Sequence, residues 1–558
     1  MVRRAFNLLY REVRGLHEAA YLLGLFALFS QALALIRDRV FAHYFGAGAT
    51  LDVYYAAFRI PDLIFVGIAS LVSVYVLIPF LSERLLESKE KAREFLSSVF
   101  SFFALLIIGV SVVAFFLVPY LAEALFPGLK GGGTLDDLIL LTRILLLQPI
   151  LLGFSSLFAS VTQVHHRFIL YATSPLFYNL GIISGAIFLF PVFGIAGLGM
   201  GVVLGAFFHL AIQLPFLFEE RLSPLLKVPD FKLIGEVFAL SLPRTIALSA
   251  GQITLLFLVA FASLLQPGSI AIFSFSYNLQ SVPLMVIGAS YSVAAFPTLA
   301  RLFSEGDRER FFLHVSTALR HILFWSLPII VLFIVLRAQI VRVILGSGAF
   351  DWDDTRLVAA GLALFVISLA AQSVVLLLAR GYYAAGNTMK PLVVNVLSSF
   401  VSLLSAYLLM KVFLSNDAWR EFFEVFLRVE GIPGTAVLML PLGYSIGMTL
   451  NAVILFALFR QDFKRRSLVV LSSLWRSALA ALLAGIVSYA TLRVLDGFLD
   501  LNTFVGIFTQ GFTAGVLGLI SGGWLLYLVE SKEFKEAFDS VKGRFWKRNT
   551  IAGHDQEL

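Results

Sequence analysis

Long apolar runs set the frame of this chain. Segments of bilayer length recur near residues 18–45, 53–82, 94–120, 137–162, 168–192, 196–218, 233–264, 269–299, 311–336, 356–379, 388–412, 436–460, 468–492 and 503–529. Crossing about 30 Å of hydrocarbon takes an α-helix of roughly 20 apolar residues, and these runs supply it. Lipid offers backbone groups no hydrogen-bond partner, so such runs become helices that satisfy their own N–H and C=O groups. The pattern predicts an all-α, polytopic membrane protein with about 14 transmembrane helices. Polar positions then set its orientation. Lys and Arg collect in alternate connections: Arg84, Lys89, Lys91 and Arg93; Arg167; Arg221, Lys227 and Lys232; Arg301, Arg308 and Arg310; Arg380 and Lys390; Arg460, Lys464, Arg465 and Arg466. The N-terminal Arg3, Arg4, Arg11 and Arg14 and the tail from Lys532 to Arg548 join that side. By the positive-inside rule both termini are expected in the cytoplasm, with the chain in the cytoplasmic (inner) membrane.

Two local patterns repeat. Pro61 begins a run through Gly67 to Pro79-Phe80-Leu81, and Pro283 begins one through Gly288 to Pro297-Thr298-Leu299, 222 residues later. Pro175-Leu176 with Asn179 is echoed by Pro391-Leu392 with Asn395 at an offset of 216. Each offset covers six spans, an even number, so both copies keep one orientation. This reads as two pseudo-symmetric six-helix lobes, 1–222 and 223–465, then two extra C-terminal helices in 466–530 and a basic tail in 531–558. Chance recurrence of Pro-Leu in apolar sequence is the competing explanation. Lobes of this kind bind substrate in a central cavity and rock for alternating access. Pro61, Pro79, Pro283 and Pro297 are candidate gating hinges, although proline is also simply common in membrane helices.

Composition narrows the function. Of 558 residues, 59% are hydrophobic and 14% charged, where a soluble domain has about one quarter charged. There is no cysteine, which excludes disulfides, thiol catalysis and cysteine-ligated metals. The net charge of +7 is spread over loops on one side, so no nucleic-acid partner is expected. The first apolar run is longer than a signal-peptide core and is read as a retained helix. His165-His166 beside Arg167 lack further ligands, Asp351, Asp353 and Asp354 lack the rest of a calcium loop, and Gly131-Gly132-Gly133 lack a following GK[ST]. They read as an interfacial turn, a solvated loop and a flexible turn, with no cofactor or metal. Asp417, Glu421, Glu424 and Glu430 offer no convincing acid–base pair, so the chain is not read as an enzyme. Residues 416–428, with Trp419, Phe422, Phe423, Val425 and Phe426, suit a helix lying on the outer membrane surface, or a loose loop. The basic tail is expected to rest on anionic lipid.

The candidate site lies between Phe29 and Glu83, where Arg37, Asp38, Arg39, Asp52, Arg59 and Asp62 interrupt apolar sequence. A charge near the bilayer centre costs roughly 2.5–3.5 kcal/mol on insertion scales, so it normally faces water or a partner. Arg37 precedes the turn residue Gly46 by nine positions, on the order of 13 Å along a helix. A polar cavity lined by the first two helices follows. Arg39 could instead pair structurally with Asp38 or Asp52.

Arg37-Asp38, Phe45-Gly46-Ala47-Gly48, Asp52, Ala57-Phe58-Arg59-Ile60-Pro61 and Pro79-Phe80-Leu81-Ser82-Glu83 resemble the lipid II flippase family MurJ (MviN) of the multidrug/oligosaccharidyl-lipid/polysaccharide exporter superfamily. A weaker echo runs from Tyr382-Tyr383-Ala384 through Asn387-Thr388 to Pro391. The resemblance implies movement of undecaprenyl-pyrophosphate-linked peptidoglycan precursor (lipid II) to the outer leaflet, driven by an ion gradient or membrane potential, with cell-wall synthesis proteins as possible partners. On that reading Arg37, Arg59 and Arg244 engage the phosphate or sugar-peptide head, Asp38 and Asp52 orient the arginines, and Gln252, Asn278 and Gln280 add neutral hydrogen bonds. The chain departs from the family where Gln31, Phe65, Val66 and Asn278 replace usual arginines and Ser70 a usual glutamate. Arg39 and Arg244 are extra cations that would compensate, since a guanidinium fork suits a pyrophosphate. Export of another lipid-linked oligosaccharide or a drug, and a transport-inactive cell-wall scaffold, are the alternatives.

Overall fold

A computed structural model describes residues 16–72, 74–131, 133–463, 471–536 and 538, with backbone alone for 16–21, 72, 74–76, 240, 243, 244 and 471–473. The N-terminal arginines, Lys464, Arg465, Arg466 and most of the basic tail lie outside the described residues. The first half of the chain forms α1 (Leu16–Phe45), α2 (Ala49–Ala57), α3 (Arg59–Ala69), α4 (Val74–Glu87), α5 (Lys89–Leu125), α6 (Thr134–Leu145), α7 (Leu147–Val164), α8 (Phe168–Ser184), α9 (Phe190–Phe193), α10 (Ile195–Ala211), α11 (Leu214–Glu219) and α12 (Phe231–Ser263). There follow α13 (Ser269–Leu284), α14 (Ser290–Ser304), α15 (Arg308–Val335), α16 (Arg337–Ile344), α17 (Trp352–Val366), α18 (Leu369–Ala384), α19 (Met389–Ser415), α20 (Asp417–Leu427), α21 (Met439–Asp462), α22 (Leu471–Leu495) and α23 (Phe504–Leu528). Among the described residues 11 helices are long and apolar enough to cross a membrane, or 12 if α17 and α18, bent by 44° at their junction, are one span. Helix α1 and the broken run α2–α4 occupy the other two of the expected segments.

That broken run is where the pattern of apolar residues is least informative. The expected span over 53–82 is α2, α3, a 3-10 turn at Ser70–Val72 and α4. Pro61 sits in the first turn of α3, where its missing N–H leaves no bond unmade, so it starts a helix rather than bending one. In the matching stretch Pro283 falls in the last turn of α13 and a π-helical segment, Met285–Ala289, follows it. A proline there removes one i→i−4 bond, and a wider turn absorbs the defect. Pro79 and Pro297 lie inside α4 and α14.

Compactness divides the chain into two interleaved units. One comprises Met1–Leu279, Ile344–Gly361 and Thr388–Gly447; the other Gln280–Val343, Leu362–Asn387 and Met448–Leu558. Within the first, α8 and α10 approach backbone to backbone. A Cβ on Gly181 would stand 2.3 Å from the Gly205 Cα, and one on Gly185 2.6 Å from the Gly201 Cα. Small residues four apart are what let membrane helices touch so closely. Ile68, Leu77, Leu81, Phe95, Phe103 and Leu157 are buried in the apolar core of this unit. In the second unit α15, α22 and α23 pack together and leave an apolar groove of about 580 Å³ lined by Phe324, Trp325, Leu332, Leu519, Leu526 and Phe534, among others.

Candidate functional site

The first unit gathers the charges of α1 and α3 with tyrosines and amides from distant helices. Gly46, at φ +57°, ends α1; a Cβ there would lie 2.6 Å from the Ala349 carbonyl oxygen, so only glycine makes this turn. Around the turn, Ala349 N donates to His43 O at 2.9 Å and Ala47 N donates to Asp354 Oδ2 at 3.0 Å. Asp354 is therefore a clasp on the turn rather than only part of a solvated loop, and Asp351 Oδ1 accepts from Asp354 N at 2.8 Å.

Two and a half turns before Gly46, Arg37 and Asp38 form a closed set. Arg37 Nε and Nη2 donate to Asp38 Oδ1 at 3.0 and 2.8 Å, and Arg37 Nη1 donates to Asn179 Oδ1 at 3.2 Å. Asp38, 2% exposed, takes a bond from Asn278 Nδ2 at 3.0 Å on its other oxygen. Asn278 therefore serves the carboxylate of Asp38. The described bond of Arg39 goes from Nη1 to Ile344 O at 3.3 Å, not to Asp38 or Asp52. Asp52 is not beside an arginine in its hydrogen bonding either. Its oxygens accept from Gly268 N at 2.5 Å and Ala271 N at 2.8 Å, at the start of α13. A carboxylate there satisfies orphan N–H groups and complements the helix dipole, which is structural work.

Arg59, at the first position of α3, is different. Its Nε is buried and makes no hydrogen bond. Asp62 lies within electrostatic range three residues on but is hydrogen-bonded by Gln148 Nε2, at 3.4 Å, while Gln148 Oε1 is itself buried without a partner. Tyr55 and Tyr277 lie within electrostatic range of Arg59, Tyr54 of Arg37, and Tyr178 of both Arg37 and Asp62. The Tyr55 hydroxyl is buried and unbonded. Tyr277 meets Tyr444 edge-on at 6.1 Å. The set offers unspent donors, one cation and several amphipathic rings, which suits a polar head carrying an anionic group and sugar-like faces.

The remaining candidates fall elsewhere. Gln252 is half-buried on α12; Arg244 and Pro243 share that helix, and their side chains lie outside the described residues. Gln280 belongs to the second unit, where its Oε1 accepts from Gln372 Nε2 at 3.3 Å and its own Nε2 is buried and unbonded. Asn179, Tyr54, Tyr55, Gln148, Tyr178 and Tyr444 are not among the sequence candidates. Asn179 carried a signal, as the polar member of the Pro175-Leu176 motif; the others are ordinary in type and take meaning only from position. Among the described residues no group of three or more His, Asp or Glu side chains could hold a metal.

Comparison with known proteins agrees with this architecture. A family model described as lipid II flippase MurJ matches residues 41–416. A protein named probable lipid II flippase MurJ from Thermotoga maritima is 30% identical over 391 residues, 69% of this chain and 77% of that one. The lipid II flippase MurJ of Burkholderia cenocepacia is 24% identical over 440 residues, 77% of this chain and 81% of that one. Among solved structures, lipid II flippase MurJ in an inward closed conformation superimposes with a TM-score of 0.72 at 21% identity, covering 91% of this chain and 100% of that chain. An inward-facing multidrug resistance MATE family transporter of the MOP superfamily gives 0.62 at 15%, covering 78% and 94%.

Proposed function

The chain belongs to the lipid II flippase MurJ family, and from that premise we propose that it carries lipid II from the inner to the outer leaflet of the cytoplasmic membrane by alternating access. The observation that carries the assignment to a site is Arg59. A buried guanidinium Nε with an unmade hydrogen bond is costly unless something outside the chain completes it, and a phosphate oxygen is the natural complement of a guanidinium. Arg37 and Asp38 then form the fixed wall beside it, and the tyrosines supply hydroxyls and ring faces for the sugar-peptide head.

On this reading residues 1–222 and 223–465 act as the moving lobes. The bonds of the 43–52 turn to Ala349, Asp354, Gly268 and Ala271 are those that opening to the Lys/Arg-poor side must release. Pro79, Pro283 and Pro297 are the hinges of this cycle: each lacks one backbone bond and lets its helix bend cheaply, as Pro119, Pro175 and Pro328 also do elsewhere. The cycle breaks no covalent bond, so no catalytic residue is assigned, and an ion gradient or membrane potential drives it. Both termini are in the cytoplasm, where cell-wall synthesis proteins and anionic lipid are within reach. One observation favours a different lipid-linked glycan as cargo: Asn278 is spent on Asp38, so the head meets less positive charge than an arginine there would give.

The test is lipid II exposure at the outer leaflet in cells depleted of their own flippase. Export restored by the parent chain and lost on Arg59→Ala, with both inserted equally, is the expected result. Restoration by both chains removes Arg59 from the site; restoration by neither moves the assignment to another lipid-linked glycan.

A further inference from the structure

Helix α20 is two-faced, and among the described residues only one face is bonded to the rest of the chain. Its inner side is pinned: Leu427 is 3% exposed, Glu424 Oε1 accepts from the Thr435 hydroxyl at 2.7 Å, and Arg356 Nε and Nη2 both donate to the Arg428 carbonyl at 3.0 and 2.7 Å. The other side presents Trp419, Phe422, Val425 and Phe426 at helical spacing, the last three 60%, 61% and 66% exposed. Phe422 and Phe426 stack with centroids 6.0 Å apart. An aromatic stripe this open is expensive in water.

We propose that this stripe is an interfacial anchor, inserted at the boundary between headgroups and acyl chains of the bilayer. Three observations commit it to lipid rather than to another protein. First, height: α19 ends at Ser415 and Asn416 alone separates it from α20, whose Trp419 N bonds the Asn416 side chain at 3.1 Å, while the chain returns toward the membrane at Thr435. Both ends of the segment are thus held at the mouth of membrane-crossing helices. Second, continuity: Leu408 and Leu414 on α19 are 50% and 61% exposed, so the apolar surface runs on from a spanning helix. Third, composition: Trp and Phe favour the depth at which an apolar ring meets polar headgroups. The polar side of α20 carries Asp417, Glu421 and Glu424 against Arg420, so insertion is driven by apolar contact and not by attraction to anionic lipid.

The absence of cysteine from the chain makes the test clean. Nitroxide labels are placed singly by Phe422→Cys, Val425→Cys, Phe426→Cys and Arg420→Cys in the full chain, reconstituted in phosphatidylcholine vesicles. Labels at 422, 425 and 426 should be relaxed several-fold more by oxygen, which concentrates in lipid, than by a water-soluble nickel chelate; the label at 420 should show the reverse. Replacing one third of the lipid by phosphatidylglycerol should change neither. Nickel-dominated relaxation at 426, or shielding from both reagents by a second copy or a partner protein, overturns the proposal, and a strong dependence on phosphatidylglycerol overturns its apolar basis.

Discussion

Arg37 and Arg59 interrupt apolar helices within 22 residues of each other, yet only one of them is spent. Arg37 makes three side-chain bonds, two to Asp38 and one to Asn179, and Asp38 is in turn held by Asn278. Arg59 has a buried Nε with no bond, and the carboxylate near it, Asp62, accepts from Gln148 Nε2 on one oxygen. Taking an ion out of water costs several kcal/mol after relaxation, which a well-placed counter-ion largely offsets. The first arginine is offset by hydrogen-bonded partners of the protein; the second has Asp62 within electrostatic range and an unmade bond, which under the proposed function the ligand completes. Charge inside a membrane is thus no mark of a binding group by itself.

The contrast breaks most sharply at Asp38. Asp38→Ala leaves Arg37 buried without its counter-ion, a change that costs about 3–5 kcal/mol, visible as a fall in the thermal unfolding midpoint of the purified protein. Arg59→Ala should leave that midpoint nearly unchanged while transport falls by roughly 10- to 100-fold, the worth of about 1.5–3 kcal/mol in charged hydrogen bonds. Equal losses of stability in the two variants would make Arg59 a structural residue too and dissolve the distinction.

Spans and charges were legible in the sequence because hydropathy and residue type are local properties. Asn179 and Gln148 were not legible as partners, since they lie 142 and 86 residues from the groups they bond and nothing in the order of residues measures that distance. Asp52 shows the same limit from the other side. The family resemblance implies that it orients the arginines; the fold carries it to the N-terminus of α13, 216 residues on. The break at Ser70–Val72 is equally silent, because Ile68, Ala69, Leu71 and Val72 suit any helix, and the close approach of α8 and α10, which rests on the four-residue spacing of Gly181 and Gly185 and of Gly201 and Gly205, is a feature the sequence reading does not single out.

Asp52 offers an intermediate case between the two arginines, a charge bonded to backbone rather than to a side chain. Asp52→Asn keeps one acceptor and loses the charge that faces the dipole of α13. A loss of about 0.5–2 kcal/mol, the range for a helix cap, is expected, again from the unfolding midpoint. No loss would mean that the N–H groups of Gly268 and Ala271 find other acceptors.

The smallest effect, and the most dependent on solvent, belongs to Glu220 at the Lys/Arg-rich end of the first unit. Partial burial would raise its carboxyl, but the hydrogen bond from Lys89 Nζ at 2.9 Å, with His165 and Arg167 adding positive charge, outweighs burial and holds it below the ordinary glutamate range. A carboxyl whose folded value is depressed adds stability that is complete above its unfolded value, about 4.3, and that disappears as pH falls through the folded one. Glu220→Gln should therefore lower stability at pH 7 by about 0.2–1 kcal/mol, and the gap should close in acid and in about 0.5 M salt, where the Debye length is only a few ångströms. The Arg37–Asp38 pair, in which Asp38 is buried and the Arg37 side chain 20% exposed, should show less of that salt dependence, because ions in solution screen a mostly buried pair less than an exposed one. If instead the effect of Asp38→Ala shrinks with salt as that of Glu220→Gln does, water reaches Arg37 as well, and both arginines belong to one hydrated cavity.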